Sequence, residues 1–453
     1  MNTSNVLVSV VAAPGVLFLT VAGLWLLGAK LKERWIAHTT AALFAVMSAA
    51  AVWLDWILDG QGLQEAVWSG GEWFRVGSYE FTLKLVADQL SLPLITLTCI
   101  LTGLVGFFSA RYLHREGGFL RFFLLLHLFA FGSLLLFSAG SLDLLIGGWE
   151  LVGITSVLLI AFFQQRRDPV RNALHVFGAY KIGDLGLLLG VFVLHYFAGS
   201  AEVSHLFGGE WPVQSANMNS WTATLAGLLF LFAAAAKSAQ FPFSGWLARA
   251  MEGPTPSSAI FYGALSIHAG AYLLLRMEPV WSASLVARVA LVAVGAFSAI
   301  SGTLIHRVAS DAKTSIAYAA VTQLGIIFIE IALGLPRLAL LHMIGHAVVR
   351  TMQFLRAPSM LHDYHRVHAA AGGHLTPTGK HFENAVPSGV RAWAYRFALD
   401  RGFYDALVRF AVGPVLALAR QLSSLEPASR SREAAAPARP SALEQGKWED
   451  SQA

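Results

Sequence analysis

The sequence predicts an all-α membrane protein, a polytopic bundle of about 11 to 12 spanning helices in which the seventh helix is discontinuous. Hydrophobic residues make up 56% of its 453 residues and charged residues only 13%, whereas soluble domains carry about 25% charged residues. Apolar runs of roughly 20 residues, the length that crosses the hydrocarbon core of a bilayer, recur along the chain. Pro242 interrupts the seventh of these runs.

Eleven apolar runs give the predicted spans in chain order. The first run is too long, and too weakly charged at its start, to be a cleaved signal peptide, so we expect it to stay in the membrane. The runs cover residues 7 to 29, 35 to 58, 88 to 110, 121 to 139, 141 to 163, 171 to 198, 221 to 243, 257 to 278, 282 to 305, 311 to 334 and 337 to 356.

Basic residues in the short loops predict the orientation of the bundle, because cytoplasmic loops carry an excess of Lys and Arg. One side holds Lys30, Lys32, Arg34, Arg111, Arg115, Arg121, Arg166, Arg167, Arg171, Arg249, Arg307 and Lys313. The other side holds Arg75, Lys84 and Arg337. The N-terminus is therefore predicted to lie outside, and the eleventh span is predicted to end in the cytoplasm.

The remaining segments complete the predicted organisation. Residues 1 to 87 hold two helices and an outer loop, in which the partly alternating GEWFRVGSYEFTLKL predicts a short hairpin. Residues 88 to 356 form the membrane core, and residues 357 to 390 form a His-rich cytoplasmic loop. Residues 391 to 422 form an amphipathic helix that lies on the membrane surface, the interpretation we favour, or makes a twelfth span. Residues 423 to 453 are predicted to be disordered.

Several function classes gain no support from the sequence. The single cysteine, Cys99, excludes an internal disulfide and an all-cysteine metal site. The net charge of +5 is modest and gives no reason to expect nucleic acid binding. No Gly-rich phosphate loop of the expected spacing occurs, so ATP-driven transport is not indicated.

Ionisable residues inside the predicted spans are the candidate functional residues. A charge at the centre of a spanning helix costs about 2.5 to 3.5 kcal/mol, so such residues face the protein interior or water and mark ion paths. The Glu, Lys and His side chains among them can titrate, which is what a proton needs to cross without meeting bulk solvent. The candidates are Glu150, Lys181, Asp184, Lys237, His268, His342, His346 and Arg350, with Lys313 at the start of the tenth span.

Simpler structural roles remain open for some of these residues. Lys181 and Asp184 have the i, i+3 spacing of an ion pair that is purely structural. Lys237 can extend toward the cytoplasmic end, although Pro242 and the aromatic FPFSGW favour a position inside the bundle. His268 can be an ordinary hydrogen-bonded helix contact. Lys313 is better interpreted as an interfacial anchor than as a relay.

Two groups of histidines were considered as zinc sites. His342 and His346 have i, i+4 spacing but lack the glutamate of HExxH and a third ligand within the span. The loop HDYHRVHAAAGGH offers four more histidines, which bind a metal or simply cover a cytoplasmic surface: His362, His365, His368 and His374. We expect no metal and no cofactor in this chain.

The broken seventh helix predicts how the charges communicate. Glu150 and Lys237 differ in depth by about 11 Å at 1.5 Å per helical residue, so water is expected to bridge them. Irregular backbone at membrane depth is tolerated where it lines a wet cavity, and a wet cavity lets Lys237 change its charge state at low cost.

Five motifs, in this order, resemble the antiporter-like proton-translocating subunits of respiratory complex I and of Mrp sodium/proton antiporters: GWELVGITSVLLIAF, KIGDLG, KSAQFPFSGWLARAMEGPTPSSA, SDAKTSIAYAAVTQLGIIF and LHMIGHAVVRTMQFL. The resemblance covers about residues 70 to 356. It implies an antiporter-like fold. It also implies that the key residues of the family are Glu150, Asp184, Lys237, Lys313, His342 and His346. Lys181 occupies a position that is commonly Arg, and Arg350 one that is commonly Lys.

Two departures from that family pattern indicate a more specific resemblance. Tyr262 takes the position of a family histidine, with His268 six residues later, and LRAPSMLHDYH stands where the family continues into a second broken helix. The second half is therefore expected to be shortened. These departures resemble the DabB subunits of the DAB inorganic carbon accumulation complex, which pair with the zinc-binding cytoplasmic subunit DabA. That resemblance implies a bacterial inner membrane protein whose partner is DabA-like and carries the zinc.

The predicted function is cation translocation, of protons or Na⁺, that drives CO₂ hydration to bicarbonate in the zinc-containing partner. The alternative is a proton-pumping subunit of a complex I or Mrp assembly. A third class, a scaffold with inert charge pairs, predicts that neutralising Glu150 changes nothing. Catalysis by this chain itself is not indicated, because no nucleophile or metal set is visible.

Overall fold

A computed structural model describes residues 2–77, 79–199, 201–359, 369 and 386–424. Within these residues, twelve helical segments are long and apolar enough to cross a membrane. The strands are confined to two short antiparallel hairpins. The predicted fold class, an all-α polytopic membrane bundle, is confirmed.

The first half of the chain is a series of long helices joined by short loops. The helices are α1 (Thr3–Leu26), α2 (Glu33–Gln61), α3 (Ser91–Tyr112), α4 (Phe119–Ser138), α5 (Leu142–Ile160) and α6 (Arg167–Ala198), followed by the short α7 (Val203–Leu206). Side-chain caps fix several of the helix starts. Ser141, for example, accepts a hydrogen bond from the Leu144 amide at the start of α5.

The outer hairpin that the alternating pattern predicts is present. Strands β1 (Glu65–Val76) and β2 (Tyr79–Asp88) pair antiparallel, with Glu65 opposite Asp88. A second hairpin joins β3 (Gly208–Glu210) to β4 (Val213–Ser215). Lys84 in β2 forms an ion pair with Glu202, which lies just before α7, at 3.4 Å. The first hairpin is thereby held against the loop that follows α6.

The second half contains two interrupted spans followed by three continuous helices. The helices are α8 (Ser220–Lys237), α9 (Trp246–Arg249), α10 (Thr255–Ser258), α11 (Ala269–Arg276), α12 (Glu278–Trp281), α13 (Leu285–Val308), α14 (Ala312–Ala332) and α15 (Pro336–Arg356). The break in the seventh predicted span is confirmed, because α8 ends at Lys237 and helix resumes only at Trp246.

The eighth predicted span differs from the uniform helix expected over 257 to 278. It consists of α10, a π-helical segment (Ala259–Ala264), a 3₁₀ turn (Ser266–His268) and α11. Every residue of this span is buried. Protein surrounds it on all sides, and neighbouring helices can therefore support irregular backbone that lipid would not tolerate.

Glycine permits close contact between α13 and α14. A Cβ atom on Gly295 would lie 2.6 Å from the Gly325 carbonyl oxygen, and one on Gly325 would lie 2.5 Å from the Gly295 carbonyl oxygen. Small residues let membrane helices approach this closely. The two helices accordingly form a rigid pair that carries Lys313 and Glu330.

The C-terminal region contains two helices rather than the one predicted over 391 to 422. Helix α16 (Ser388–Leu399) packs on α13, and α17 (Tyr404–Ser424) follows a non-helical Gly402 with φ of +72°. The described residues up to Gly402 form one compact unit, and those from Phe403 form a second. Arg401–Ser424 is long and apolar enough to span a membrane. The predicted disordered tail lies outside the described residues, except for its first two.

Candidate functional site

Glu150, Lys181 and Asp184 form one charged cluster between α5 and α6. Lys181 Nζ donates a hydrogen bond to Glu150 and lies 3.0 Å from Asp184 Oδ2, so the predicted i, i+3 pair is confirmed. Asp184 is buried, whereas the side chains of Lys181 and Glu150 are 42% and 38% exposed. The cluster therefore reaches from the interior to the surface of the bundle.

Lys237 is the last residue of α8, and its side chain lies inside the bundle with 2% exposed. Nζ donates to the Trp149 carbonyl oxygen at 2.9 Å and lies 4.9 Å and 4.7 Å from the ring centroids of Trp149 and Tyr180. These contacts favour an ammonium ion. The position inside the bundle that Pro242 and the aromatic FPFSGW favoured is confirmed.

Trp149 connects Lys237 to the charged cluster, a link that the sequence did not reveal. Its indole Nε1 donates to Asp184 Oδ1 at 2.8 Å, while its carbonyl oxygen accepts from Lys237. Gly153 leaves room for the amine, because a Cβ atom there would lie 3.0 Å from Lys237 Nζ. Glu150 and Lys237 thus communicate through Trp149 and Asp184 rather than by a direct bond.

Three buried hydroxyl groups lie beyond Lys237 in the direction of His268. Those of Tyr180, Tyr262 and Ser266 interact with one another, but within the described residues none has a hydrogen-bond partner in good geometry. A buried hydroxyl left unsatisfied costs about 1 to 3 kcal/mol, and ordered water is the usual partner of such groups. Ordered water beside Lys237 would satisfy these hydroxyl groups.

His268, His346 and Arg350 form a hydrogen-bonded chain. His268 Nδ1 lies 2.6 Å from the Ala264 carbonyl oxygen, which can only accept, so this nitrogen carries a proton. His268 Nε2 lies 2.9 Å from His346 Nδ1, and Arg350 Nε donates to His346 Nε2 at 3.2 Å. In neutral rings, every donor therefore points the same way, from Arg350 through His346 to His268.

His342 has a carboxylate partner that the sequence analysis missed. Its Nδ1 lies 2.9 Å from Glu330 Oε1 and its Nε2 lies 3.1 Å from Gln323 Oε1, both on α14. Its ring centroid is 6.5 Å from that of His346. His342, His346 and Arg350 therefore share one face of α15, as predicted. The hydrogen bonds of His342, however, are with Glu330 and Gln323 of α14.

Lys313, predicted as an interfacial anchor, hydrogen-bonds to a neighbouring part of the chain. Its Nζ donates to the carbonyl oxygens of Met251 and Gly253 at 2.7 and 2.8 Å. These carbonyls belong to the chain that follows the broken helix, so Lys313 ties that chain to the start of α14. A role in the relay is not tested by these contacts.

A second buried ion pair, also missed from the sequence, joins the end of β2 to the end of α11. Arg276 NH1 lies 2.6 Å from Asp88 Oδ2, and both side chains are largely buried. Burial alone raises the pKa of Asp88, but the Arg276 guanidinium and hydrogen bonds from Ser91 together outweigh burial and lower that pKa to about 2. Only spatial proximity identifies this pair, because 188 residues separate its members.

The described residues also bear on metal binding. In that part of the chain no three His, Cys, Asp or Glu side chains lie close enough together to hold a metal ion. His362, His365, His368 and His374 lie outside the described residues. Their role stays a prediction.

Comparisons with known proteins identify relatives of this arrangement. The family model described as NADH:quinone oxidoreductase/Mrp antiporter, TM, matches residues 139–375. The model described as NADH-ubiquinone oxidoreductase (complex I), chain 5 N-terminus, matches residues 73–123. The first match contains all five motifs, and the second precedes them in the chain.

Curated relatives include NADH-quinone oxidoreductase subunit L of Neisseria meningitidis serogroup B, which is 32% identical over 73% of this chain and 50% of its own length. The Mycobacterium tuberculosis protein of the same name is 32% identical over 76% of this chain and 54% of its own length. The chain spans about half the length of the curated relatives it matches.

Two solved structures share the fold. The Mrp complex from Dietzia sp. DQ12-45-1b contains a chain with a TM-score of 0.64 and 26% identity, covering 76% of this chain and 37% of its own length. The membrane-bound sulfane sulfur reductase, an archaeal respiratory membrane complex, contains a chain with a TM-score of 0.66 and 18% identity. The match covers 90% of this chain and 87% of that one. The second likeness concerns the fold alone.

Proposed function

The chain belongs to the NADH:quinone oxidoreductase/Mrp antiporter membrane family, and from that premise we propose that it translocates protons, or another small cation, across the membrane. The observation that carries this proposal is Lys237. An amine buried at the end of a broken membrane helix is costly to insert, and such residues are kept where they conduct ions. Its neighbours, a carbonyl, two aromatic rings and a nearby carboxylate cluster, favour the charged amine, whereas burial favours the neutral amine, so the two forms compete.

The first half of the proposed path runs from Glu150 to Lys237. Lys181 bridges Glu150 and Asp184, and Trp149 joins Asp184 to Lys237 through its indole and its carbonyl. Charges a few ångströms apart in a low-dielectric interior interact strongly. The charge state of Lys237 therefore responds to any change in how Lys181 is shared between the two carboxylates.

The second half of the path runs from Lys237 to the histidines. Water bound by the hydroxyls of Tyr180, Tyr262 and Ser266 would carry the proton toward His268, whose ring is bonded to His346. Neutral imidazole can accept a proton on one nitrogen and release one from the other. Arg350, bonded to His346, sets the direction in which the donors of this chain point.

The exposed charges of the first cluster support a partner within the membrane. Lys181 lies on a stripe of α6 that is otherwise apolar and exposed, next to Ile182 and Leu185. Charged side chains at membrane depth rarely face lipid. A membrane-embedded partner that covers α6 at this point, and offers Glu150 and Lys181 a polar contact, accounts for their exposure.

We further propose that cation flow through this chain drives CO₂ hydration to bicarbonate in a DabA-like cytoplasmic partner that binds zinc. The support is the segment LRAPSMLHDYH, which departs from the complex I and Mrp pattern and resembles DabB subunits. The energy is adequate. One charge moved through 100 mV releases about 2.3 kcal/mol, and about 1.4 kcal/mol shifts an equilibrium tenfold.

Bicarbonate accumulation in cells tests this function. We expect Lys237→Met and Glu150→Gln each to abolish accumulation while the complex remains assembled, because each removes one titratable group from the path. Lys30→Met, which removes an amine from an exposed loop, should leave accumulation normal. Normal accumulation in both path variants would reject the relay.

The second candidate function is a proton-pumping subunit of a complex I or Mrp assembly. The identity of the curated relatives and of the Dietzia complex favours it. Gentle purification of the native complex separates the two candidates. A zinc-bearing cytoplasmic subunit selects the carbon-accumulation proposal, and quinone-linked redox subunits or further antiporter-like subunits select the alternative.

A further inference from the structure

A groove opens at the end of the bundle that carries most of the loop lysines and arginines. It has a volume of about 850 Å³ and lies between the start of α2, the end of α3 and the start of α4. It is far in sequence from the polar residues of the proposed path. Its lining consists of Lys32, Glu33, Arg34, Ala37, His38, Ala41, Phe107, Ala110, Arg111, His114 and Phe119.

The rim of this groove carries an uncompensated positive charge. Within the described part of the chain, Lys32, Arg34 and Arg111 are exposed and have no carboxylate partner. The one carboxylate in the lining, Glu33, is already engaged by His114 Nδ1 at 2.7 Å and by the Arg115 amide at 3.2 Å. Three cationic side chains are thus available to an anion.

The start of α2 adds to this attraction. Its first turn has no side-chain cap, since Lys32 occupies the N-cap position. The free amide groups of a first turn, together with the helix dipole, favour an anion. They lie beside the three cationic side chains, so the charge and the dipole favour the same kind of ligand.

Below the rim, an apolar face of α3 continues from Phe107 of the groove lining and forms an apolar wall. Ile100, Leu104 and Phe107 are exposed on one face of α3, and Arg111, one turn further, lies with its guanidinium 5.6 Å from the Phe107 ring centroid. From Ile100 to Arg111 the helix rises about 16 Å, close to the depth of one leaflet, about 15 Å. Ala37 and Ala41 leave space on the opposite wall.

We propose that this groove binds an anionic phospholipid. The phosphate group would lie among Lys32, Arg34 and Arg111, and an acyl chain would follow Phe107, Leu104 and Ile100. Basic pockets between membrane helices on the cytoplasmic side suit such headgroups. The apolar wall distinguishes this ligand from a soluble anion, which would need only the rim. The wall extends along the membrane normal by about the depth of one leaflet. This length distinguishes a lipid ligand from a soluble protein partner.

Lipid binding by the full complex in mild detergent tests the proposal, with phosphatidylglycerol, phosphatidylethanolamine and inorganic phosphate as probes. We expect phosphatidylglycerol to bind at least about tenfold more tightly than phosphatidylethanolamine, and inorganic phosphate not to displace it. Arg34→Gln with Arg111→Gln should weaken phosphatidylglycerol binding about thirtyfold, since each basic residue near the surface contributes about fivefold. Arg111→Lys, which keeps the charge, should retain most of the binding.

The matched control is Arg167→Gln, which removes an exposed arginine on the same side but outside the groove. It should leave lipid binding within about twofold of the wild type. Should the double variant fail to assemble, two measurements still test the proposal. They are phosphatidylglycerol binding by Arg34→Gln alone and the preference of the wild type for phosphatidylglycerol over phosphatidylethanolamine. Equal binding of both lipids to the wild type would overturn the proposal, as would displacement of phosphatidylglycerol by inorganic phosphate. So would a double variant that loses a protein subunit while its lipid binding is unchanged.

Discussion

Trp149 contacts both halves of the charged region through different atoms. Its indole donates to Asp184 and its main-chain carbonyl accepts from Lys237. Because one atom belongs to the side chain and the other to the backbone, substitution can remove the first contact and keep the second. This separation makes Trp149 a positioning residue whose effect on transport can be measured without removing any titratable group.

We expect Trp149→Phe to lower proton flux about tenfold while the complex stays assembled. The ring facing Lys237 is kept, but Asp184 loses a hydrogen bond worth about 1.5 to 3 kcal/mol to a charged acceptor. Trp281→Phe is the control, because that buried indole donates to the Leu274 carbonyl, away from the path. Equal effects of the two variants on flux would mean that Trp149 acts only in packing.

Asp88 illustrates a buried charge that serves stability rather than transport. Arg276 holds the pKa of Asp88 at about 2, below its ordinary value near 4. A carboxylate whose pKa is lowered by folding stabilises the folded state above its unfolded pKa, and this contribution is lost as the pH falls. The contribution of Asp88 to the stability of the folded state, about 2 kcal/mol, is therefore lost between about pH 4 and about pH 2.

Thermal unfolding of the purified protein between pH 6 and pH 3 checks this assignment. Asp88→Asn should lower the unfolding temperature at pH 6 and flatten its decline toward acid, because Arg276 is left buried without its partner. Glu72→Gln, in an exposed pair with Arg75 on the same hairpin, should change little. An unchanged unfolding temperature in Asp88→Asn would contradict the stabilising role.

At the level of elements, the irregular eighth span is what places His268. Unwinding after the π-helical segment leaves the Ala264 carbonyl oxygen free to accept from His268 Nδ1. Close packing holds this shape, because a Cβ atom on Gly270 would lie 2.4 Å from the Ala234 carbonyl oxygen and 2.3 Å from Ser238 Oγ. Helix α11 therefore lies directly against the end of α8 that carries Lys237.

Gly270→Ala tests that contact. The added methyl group must push α11 away from α8, and overpacking of this kind costs about 1 to 3 kcal/mol. We expect a lower unfolding temperature together with lower proton flux. Gly345→Ala is the control, since a Cβ atom on that helical residue meets no neighbour within 4 Å, and alanine favours helix. A Gly270→Ala protein with normal stability and flux would remove the packing argument.

The sequence predicted the elements that depend on local signals. Span length, the break before Pro242, the alternating outer hairpin and the Lys181–Asp184 spacing all follow from residues close together in the chain, and all are confirmed. The eighth span was predicted as regular helix because its apolar residues and glycines fit one. Its irregular shape depends on packing against α8 and α15, which no local pattern encodes.

Partners brought together from distant parts of the chain were missed for the same reason. Trp149 reaches Asp184 across 35 residues and Arg276 reaches Asp88 across 188. Glu330 meets His342 only because α14 and α15 pack side by side. The candidate site residues could nevertheless be proposed without these partners, since a charge inside an apolar run is visible in the sequence alone.

At the level of the whole molecule, charges are distributed unevenly between the interior and the lateral surface. Asp184, Lys237, His268 and His346 are buried, whereas the Glu150–Lys181 pair is partly exposed. The pair is thus the point at which a covering partner would act on the interior charges. We expect a cross-linker placed on α6 at Leu185, beside Lys181, to capture a membrane subunit of the native complex. Leu19→Cys on α1, equally exposed to lipid, serves as the control.

Proton flux into liposomes containing the assembled complex tests the central claim most directly. Lys237→Met keeps the length of the side chain but removes the titratable amine. The account predicts that it lowers flux about a hundredfold, whereas Lys30→Met leaves flux at the wild-type level. Flux within about twofold of wild type in an assembled Lys237→Met complex would contradict a path through Lys237.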